Sequence, residues 1–475
     1  MTDQRPATLS KIFDAIAPER DYWINRNIYF HNEDEKYLRF IIPENSSVIE
    51  IGCGTGRLLN AVKPSRGVGI DLSPKMIEQA QSNFPDYVFE IGDALDSNFL
   101  KSLGGPFEYL LISDTIGQFE DCQETLKTLQ CLCDRNTRII ISFYGYHWEP
   151  ILKLGTMLGA KMPQPEQNRL APPDIANLLN LAGYEEISWE WRQLLPKRLF
   201  GFGPLINRYI ATLPLIRRFC LRNYVIARSV LEKEIENLSA SVIVPCRNEK
   251  GNIEDAVTRL PAFCENQEIV FVEGHSKDGT FEECLRVQEK YSYKKIQVLQ
   301  QSGIGKGNAM RAGYDAAKGD VLIILDADLT VPPEDIPKFY NVIAEGKGEY
   351  INGTRLVYPM ENEAMRFLNL MANWGFAKIF TYLLNQRITD TLCGTKVLQR
   401  ENYDKIVTNR SYFGDFDPFG DFDLLFGATK LGLKMIEVPI RYRNRQYGET
   451  QISRFQHGLL LVQMVVKAFF KMKAL

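Results

Sequence analysis

Short apolar runs recur along the chain, each stopping on a glycine, a proline or an acid: SVIEIG, GVGID and YLLISD early on, SVIVP, IVFVEG and VLIILD later. An uninterrupted apolar run bounded by turn residues reads as a strand buried on both faces. The stretches between them carry helical spacing, and strands alternating with helices predict α/β architecture with mainly parallel sheets. A chain of 475 residues exceeds what one hydrophobic core usually organises, so two domains are expected. The boundary falls at LEKEIENLSA, Leu231 to Ala240, which is charged, helix-prone and directly followed by a new strand. This places a first domain over 1–231, a linker over 232–239 and a second domain over 240–475.

Nowhere do roughly 18 apolar residues run together, so no membrane-spanning helix is predicted. The nearest approach is the C-terminal GLLLVQMVVKAFF, Gly458 to Phe470, interrupted by Gln463 and Lys467 and read as an amphipathic tail. From Trp191 to Leu231 there is no acid but eight basic residues among Leu, Ile and Phe. That stretch reads either as an interfacial membrane element or as a helix packed on one side, and the packed reading is preferred. A net charge of −3 without a long basic run predicts no nucleic-acid partner. Nine scattered cysteines, with only a CxC at Cys131 and Cys133, suit reduced thiols rather than zinc. The N-terminal MTDQRPATLSKIFD lacks the apolar core of a signal peptide. The predicted location is the cytoplasm, with peripheral contact on the inner face of the membrane.

In SVIEIGCGTGRLL a strand runs into Gly52, Gly54 and Gly56, and a helix follows. Glycines let the backbone approach a ligand, and the helix start offers free N–H groups. Asp71 follows a second strand, where an acid can bind ribose hydroxyls, Asp93 follows a third and Asp114 a fourth. This series resembles class I S-adenosylmethionine-dependent methyltransferases over roughly residues 30 to 230. The resemblance implies that Glu50, Gly52, Gly54 and Gly56 hold the methionine moiety, Asp71 the ribose and Asp93 the adenine. A dinucleotide-binding domain is the rival, but its loop reads GxGxxG and this one reads GxGxG. Methyl transfer rests mainly on alignment. His147 in SFYGYHWEP stands as a candidate base, against the commoner role of a packed loop residue.

The second half opens on SVIVPCRNEKGNI, with Pro245, Asn248 and Glu249 at a strand end. Glu273 ends the next strand, Asp278 starts a helix, and Lys306 stands in a glycine-flanked loop suited to phosphate oxygens. ILDADL then sets Asp326 and Asp328 two apart at the end of an apolar run, and on an extended strand both would face one side. Paired carboxylates suit Mg²⁺ or Mn²⁺ shared with substrate phosphates. Here the sequence resembles family 2 glycosyltransferases of the GT-A fold, especially the polyprenyl-phosphate hexose synthases similar to dolichol-phosphate mannose synthase, over about residues 240 to 450. The resemblance assigns Pro245, Asn248, Glu249, Glu273, Asp278, Lys306 and Asp326 to the nucleotide-sugar, and Asp326 and Asp328 to the metal. It places Arg355 and Arg366 near an acceptor phosphate, and an acid from Asp421 and Asp423 in the role of general base. Two departures stand out: Gly274 follows Glu273 where a second acid is usual, and Thr450 and Gln451 replace a serine and a lysine of the closing loop. Phosphate contact then shifts to Arg443, Arg445 or Arg454.

The fold class is therefore a Rossmann-like methyltransferase domain followed by a GT-A domain. The function expected is a bifunctional enzyme: metal-dependent, inverting sugar transfer to a polyprenyl phosphate or glycolipid, and S-adenosylmethionine-dependent methylation in the same glycan pathway. Two alternatives remain, a glycosyltransferase with a non-catalytic S-adenosylmethionine-sensing module and a nucleotidyltransferase, although VPCRNEKGN is a poor match to the glycine- and arginine-rich loop of the latter.

Overall fold

The computed structural model describes residues 4–230, 237–358, 367–413, 420–445, 447–448 and 454–475; Arg366, Thr450 and Gln451 lie outside the described residues. The chain divides into two compact units, Met1–Glu232 with Lys473–Leu475, and Lys233–Met472. The last three residues thus group with the first unit, whereas the sequence assigns them to the second. The reason is a buried charge pair: Lys473 Nζ donates to Glu190 Oε2 at 2.7 Å, and both side chains are buried.

The first unit is built on a seven-stranded sheet with order β3-β2-β1-β4-β5-β7-β6. Its strands are β1 Ser47–Ile51, β2 Arg66–Asp71, β3 Val88–Ile91, β4 Tyr109–Ser113, β5 Arg138–Tyr144, β6 Tyr184–Arg192 and β7 Arg222–Ser229. Strand β7 runs antiparallel to β5 and β6, and the other pairs are parallel. Val48 and Ile49 of β1, Leu110 and Leu111 of β4 and Ile139 to Ile141 of β5 are wholly buried, as strands covered on both faces require. Glu50 is the one ionisable side chain in β1, and it is buried too. The strand order reverses between β1 and β4, which opens a crevice at their carboxyl ends.

The second unit repeats the principle with another topology, order β10-β9-β8-β11-β13-β12-β14. Here β8 is Ala240–Cys246, β9 Gln267–Glu273, β10 Lys295–Gln300, β11 Val321–Ile324, β12 Tyr350–Thr354, β13 Lys396–Gln399 and β14 Met435–Pro439. Only β13 runs antiparallel to its neighbours, β11 and β12. The order reverses between β8 and β11, so the second crevice lies at their carboxyl ends.

Two expectations change. Strand β11 stops at Ile324, so Asp326 and Asp328 do not ride an extended strand. A turn carries them instead, closed by the Leu329 N–H donating to the Asp326 carbonyl at 3.1 Å. The basic stretch after β6 is not one packed helix but a series of short helical turns at Phe202–Leu205, Ile206–Ile210 and Arg217–Phe219. Pro204 and Pro214 each lack the N–H that a continuous helix needs. The tail forms the helix Arg454–Ala468, which buries Leu461, Met464 and Ala468 along one stripe and exposes Leu459, Val462 and Val466. Among the described residues, no helix is long and apolar enough to cross a membrane.

Candidate active sites

In the first unit, the glycine turn leaves β1 through three residues with positive φ, Gly52 at 74°, Gly54 at 53° and Gly56 at 77°. Gly52 is forced by space as well, since a Cβ there would stand 2.3 Å from Thr115 Oγ1. Asp71, at the end of β2, locks the turn. Its Oδ2 accepts from Gly54 N–H and its Oδ1 from Ser73 N–H, each at 2.9 Å. Burial outweighs these bonds and raises its pKa. Asp93 Oδ1 accepts from Leu95 N–H at 3.0 Å. Gly52, Gly54, Asp71, Asp93 and Asp114 line one cleft of about 1040 Å³, part of it open to solvent.

Glu50 and Gly56 are placed differently. Glu50 lines an adjoining recess with Arg20, Gly52 and Gly54, and burial pushes its carboxyl up to about 8. Gly56 lines neither space, and a Cβ there would meet Phe89 Cζ at 2.7 Å. His147 is exposed and lies outside both. Asp114 is tied to Arg222, whose Nη2 also donates to Asp34 Oδ2 at 3.0 Å and to Ser142 Oγ at 2.9 Å. That fully buried guanidinium braces the floor of the crevice.

The helix Gln4–Arg26 closes over the cleft, which the sequence reading does not foresee. Pro6, Leu9, Phe13 and Arg20 line it, and Asp14 Oδ1 accepts from Ser73 Oγ at 2.6 Å. The signal for it is the four-residue spacing of Leu9, Phe13 and Ala17.

In the second unit, the predicted nucleotide residues gather at the ends of β8, β9 and β11. Asn248 Oδ1 accepts from Lys277 N–H at 2.9 Å, and Asp278 Oδ2 from Lys250 N–H at 3.2 Å, which ties the two loops together. Glu273 is buried; its Oε2 accepts from Gln300 Nε2 at 3.1 Å. Lys306 Nζ stands 2.7 Å from Asp326 Oδ1. Burial works against its charge, but Asp326, Asp421 and Asp328 outweigh it and raise the pKa. Arg445 bridges Glu249 Oε1 and Asp328 Oδ2, both at 2.8 Å. Burial pushes Glu249 up to about 7, with Asp328 adding to the rise and Arg445 opposing it. Each carboxylate of the DxD pair is therefore matched by a side-chain cation.

The acceptor-side residues divide. Arg355, assigned to an acceptor phosphate, is held by Asp390: Nε to Oδ2 at 2.6 Å and Nη2 to Oδ1 at 2.8 Å. Its charge is largely spent on that pair. Asp421 and Asp423 both lie in the first turn of the helix Asp421–Lys430. Asp423 Oδ2 meets Arg410 Nε at 2.7 Å, whereas Asp421 is the one whose charge acts on Lys306.

Two family models match the chain: one described as a methyltransferase domain over residues 42–166, the other as glycosyl transferase family 2 over 241–407. A dolichol-phosphate mannosyltransferase of Pyrococcus furiosus is 30% identical over 222 residues, covering 46% of this chain and 60% of that protein. An undecaprenyl-phosphate 4-deoxy-4-formamido-L-arabinose transferase of Aeromonas hydrophila is 34% identical over 225 residues, covering 44% and 62%. The chain thus spans 60% and 62% of the length of these relatives. The solved structure of a SAM-dependent methyltransferase of Thermotoga maritima is 18% identical, with a TM-score of 0.36, and covers 46% of this chain and 99% of its own.

Proposed function

We propose that this chain, which joins a methyltransferase domain to a glycosyl transferase family 2 domain, transfers a sugar from a nucleotide-sugar to a lipid phosphate and a methyl group from S-adenosylmethionine within one glycan pathway. The observation that carries the sugar-transfer half is the pairing of Asp326 with Lys306 and of Asp328 with Arg445 at a sheet switch point. Carboxylate oxygens suit a hard divalent cation, so once the donor phosphates draw off Lys306 and Arg445, Asp326 and Asp328 would hold Mg²⁺ or Mn²⁺. Bound there, such a cation would offset the charge developing on the leaving diphosphate. Lys306 and Arg445 would meet the donor phosphates, and Asn248, Glu273 and Asp278 the nucleoside.

The acceptor oxygen attacks the anomeric carbon as the bond to the diphosphate breaks, with inversion. A phosphate acceptor is already anionic and needs no base; a hydroxyl acceptor would give Asp421 its proton. Asp423, held by Arg410, is a positioning residue. In the first unit, Asp71 and Asp93 would receive ribose and adenine and the Gly52–Gly54 turn the methionine end. A second cavity adjoining this cleft offers room for a methyl acceptor, which favours catalysis over sensing. The relatives' names, one a dolichol-phosphate and one an undecaprenyl-phosphate transferase, support a lipid-phosphate acceptor.

The test is Asp328→Asn, assayed for sugar transfer and for thermal stabilisation by donor with and without Mn²⁺. Transfer should fall on the order of a hundredfold or more, and Mn²⁺-dependent stabilisation should vanish. Undiminished wild-type transfer in EDTA would overturn the metal assignment.

A further inference from the structure

The cavity beside the cofactor cleft has a volume of about 880 Å³, part of it open, and shares Arg20, Asp114, Met162 and Gln164 with the cleft. Its outer wall is made by Ile151 of the helix Glu149–Met157 and by Pro196 and Lys197 of the stretch after β6. Those two segments adjoin, since Trp148 Nε1 donates to the Phe219 carbonyl at 2.8 Å. Together they expose several large apolar side chains. Phe200 is 104% exposed, Leu215 85% and Met157 83%, with Phe202, Phe219 and Leu158 also exposed. Leu199 and Phe200 sit at φ 42° and 56°, a backbone region that bulky L residues rarely adopt. The fold holds an aromatic ring out in water rather than tucking it in.

Charge says what would cover this face. No acid occurs between Trp191 and Leu231, while Lys197, Arg198 and Arg218 are exposed among the apolar side chains. An apolar face of this kind marks an interaction site. Glu149, the one acid of the two segments, is engaged by Lys153 at 2.7 Å and Arg169 at 3.3 Å, so the complementary partner is an anionic lipid surface: rings and aliphatic chains enter the acyl boundary while guanidinium groups meet lipid phosphates.

We propose that this face of the first unit docks on an anionic bilayer, bringing the mouth of the adjoining cavity to the lipid surface. The proposal does not depend on which sugar or methyl acceptor the enzyme uses.

The experiment is flotation of the full-length protein with phosphatidylcholine vesicles, with and without phosphatidylglycerol. The wild type should float with the anionic vesicles only. Phe200→Ser/Leu215→Ser and, separately, Arg198→Gln/Arg218→Gln should each weaken that binding at least about tenfold. Both should keep the wild-type melting temperature and S-adenosylmethionine affinity, because the altered side chains are exposed. A tail variant, Leu459→Ser/Val466→Ser, should still float. The proposal is overturned if the wild type ignores anionic vesicles, if both patch variants float as it does, or if the tail variant alone abolishes flotation. It is likewise overturned if the apolar variant leaves flotation unchanged while splitting a dimer, since the face would then belong to a second copy of the chain.

Discussion

Replacing Asp390 with Asn removes one charge from the interior of the second unit and leaves its shape. The carboxylate is fully buried and accepts five bonds: Arg355 Nε at 2.6 Å, Nη2 at 2.8 Å and backbone N–H at 3.1 Å, Asn373 Nδ2 at 3.0 Å and Leu392 N–H at 3.1 Å. Burial alone would raise its pKa, but Arg355 and the other donors outweigh it and hold the group below the ordinary carboxylate range. Asp390→Asn leaves the Arg355 guanidinium buried without its counter-ion. Removing one partner of a buried pair costs about 3–5 kcal/mol. The Asn carbonyl still accepts some of the bonds, so the lower end, about 3 kcal/mol, is expected. At about 2–4 °C per kcal/mol for a domain of this size, the second unit should melt roughly 6–12 °C lower. Because the folded pKa lies below the unfolded value near about 3.9, the contribution is complete above that pH and lost as pH falls through the folded value. Denaturant unfolding at neutral pH and at successively lower pH measures both. A loss under about 1 kcal/mol at neutral pH, or a gap between the two proteins that persists unchanged into acid, would refute the reasoning.

Asp71→Ala should weaken S-adenosylmethionine binding at least about tenfold and leave nucleotide-sugar affinity unchanged, as measured by titration calorimetry; equal loss of both ligands would mean one composite site. Glu249 should give a pH dependence of the opposite sign. Its folded pKa is raised to about 7, so its effect favours folding below the ordinary carboxylate value and is lost as pH rises through about 7. The melting temperature of Glu249→Gln should therefore fall less than that of the wild type across this window, and parallel curves would remove Glu249 as the cause.

The glycine turn, the acids at successive strand ends and the DxD pair are legible in the sequence because each rests on adjacent residues and one kind of physics. A short apolar run bounded by turn residues reads as a buried strand, and Gly52, with φ at 74°, holds a conformation that few other residues accept. What each charged group does there is another matter. The sequence offers Arg355 to an acceptor phosphate, and the fold sets it against Asp390, 35 positions away. It offers Arg445 to a donor phosphate, and the fold bridges it to Asp328 across 117 positions. It names Asp421 and Asp423 together, and only packing against Arg410 separates them. Its preferred packed helix after β6 is instead a run of turns that leaves Phe200, Leu215 and Phe219 in water. Local chain geometry depends on neighbours in sequence, so sequence alone determines it. A charge's partner and an apolar residue's exposure depend on which distant segments the sheet brings together, and only the tertiary structure decides them.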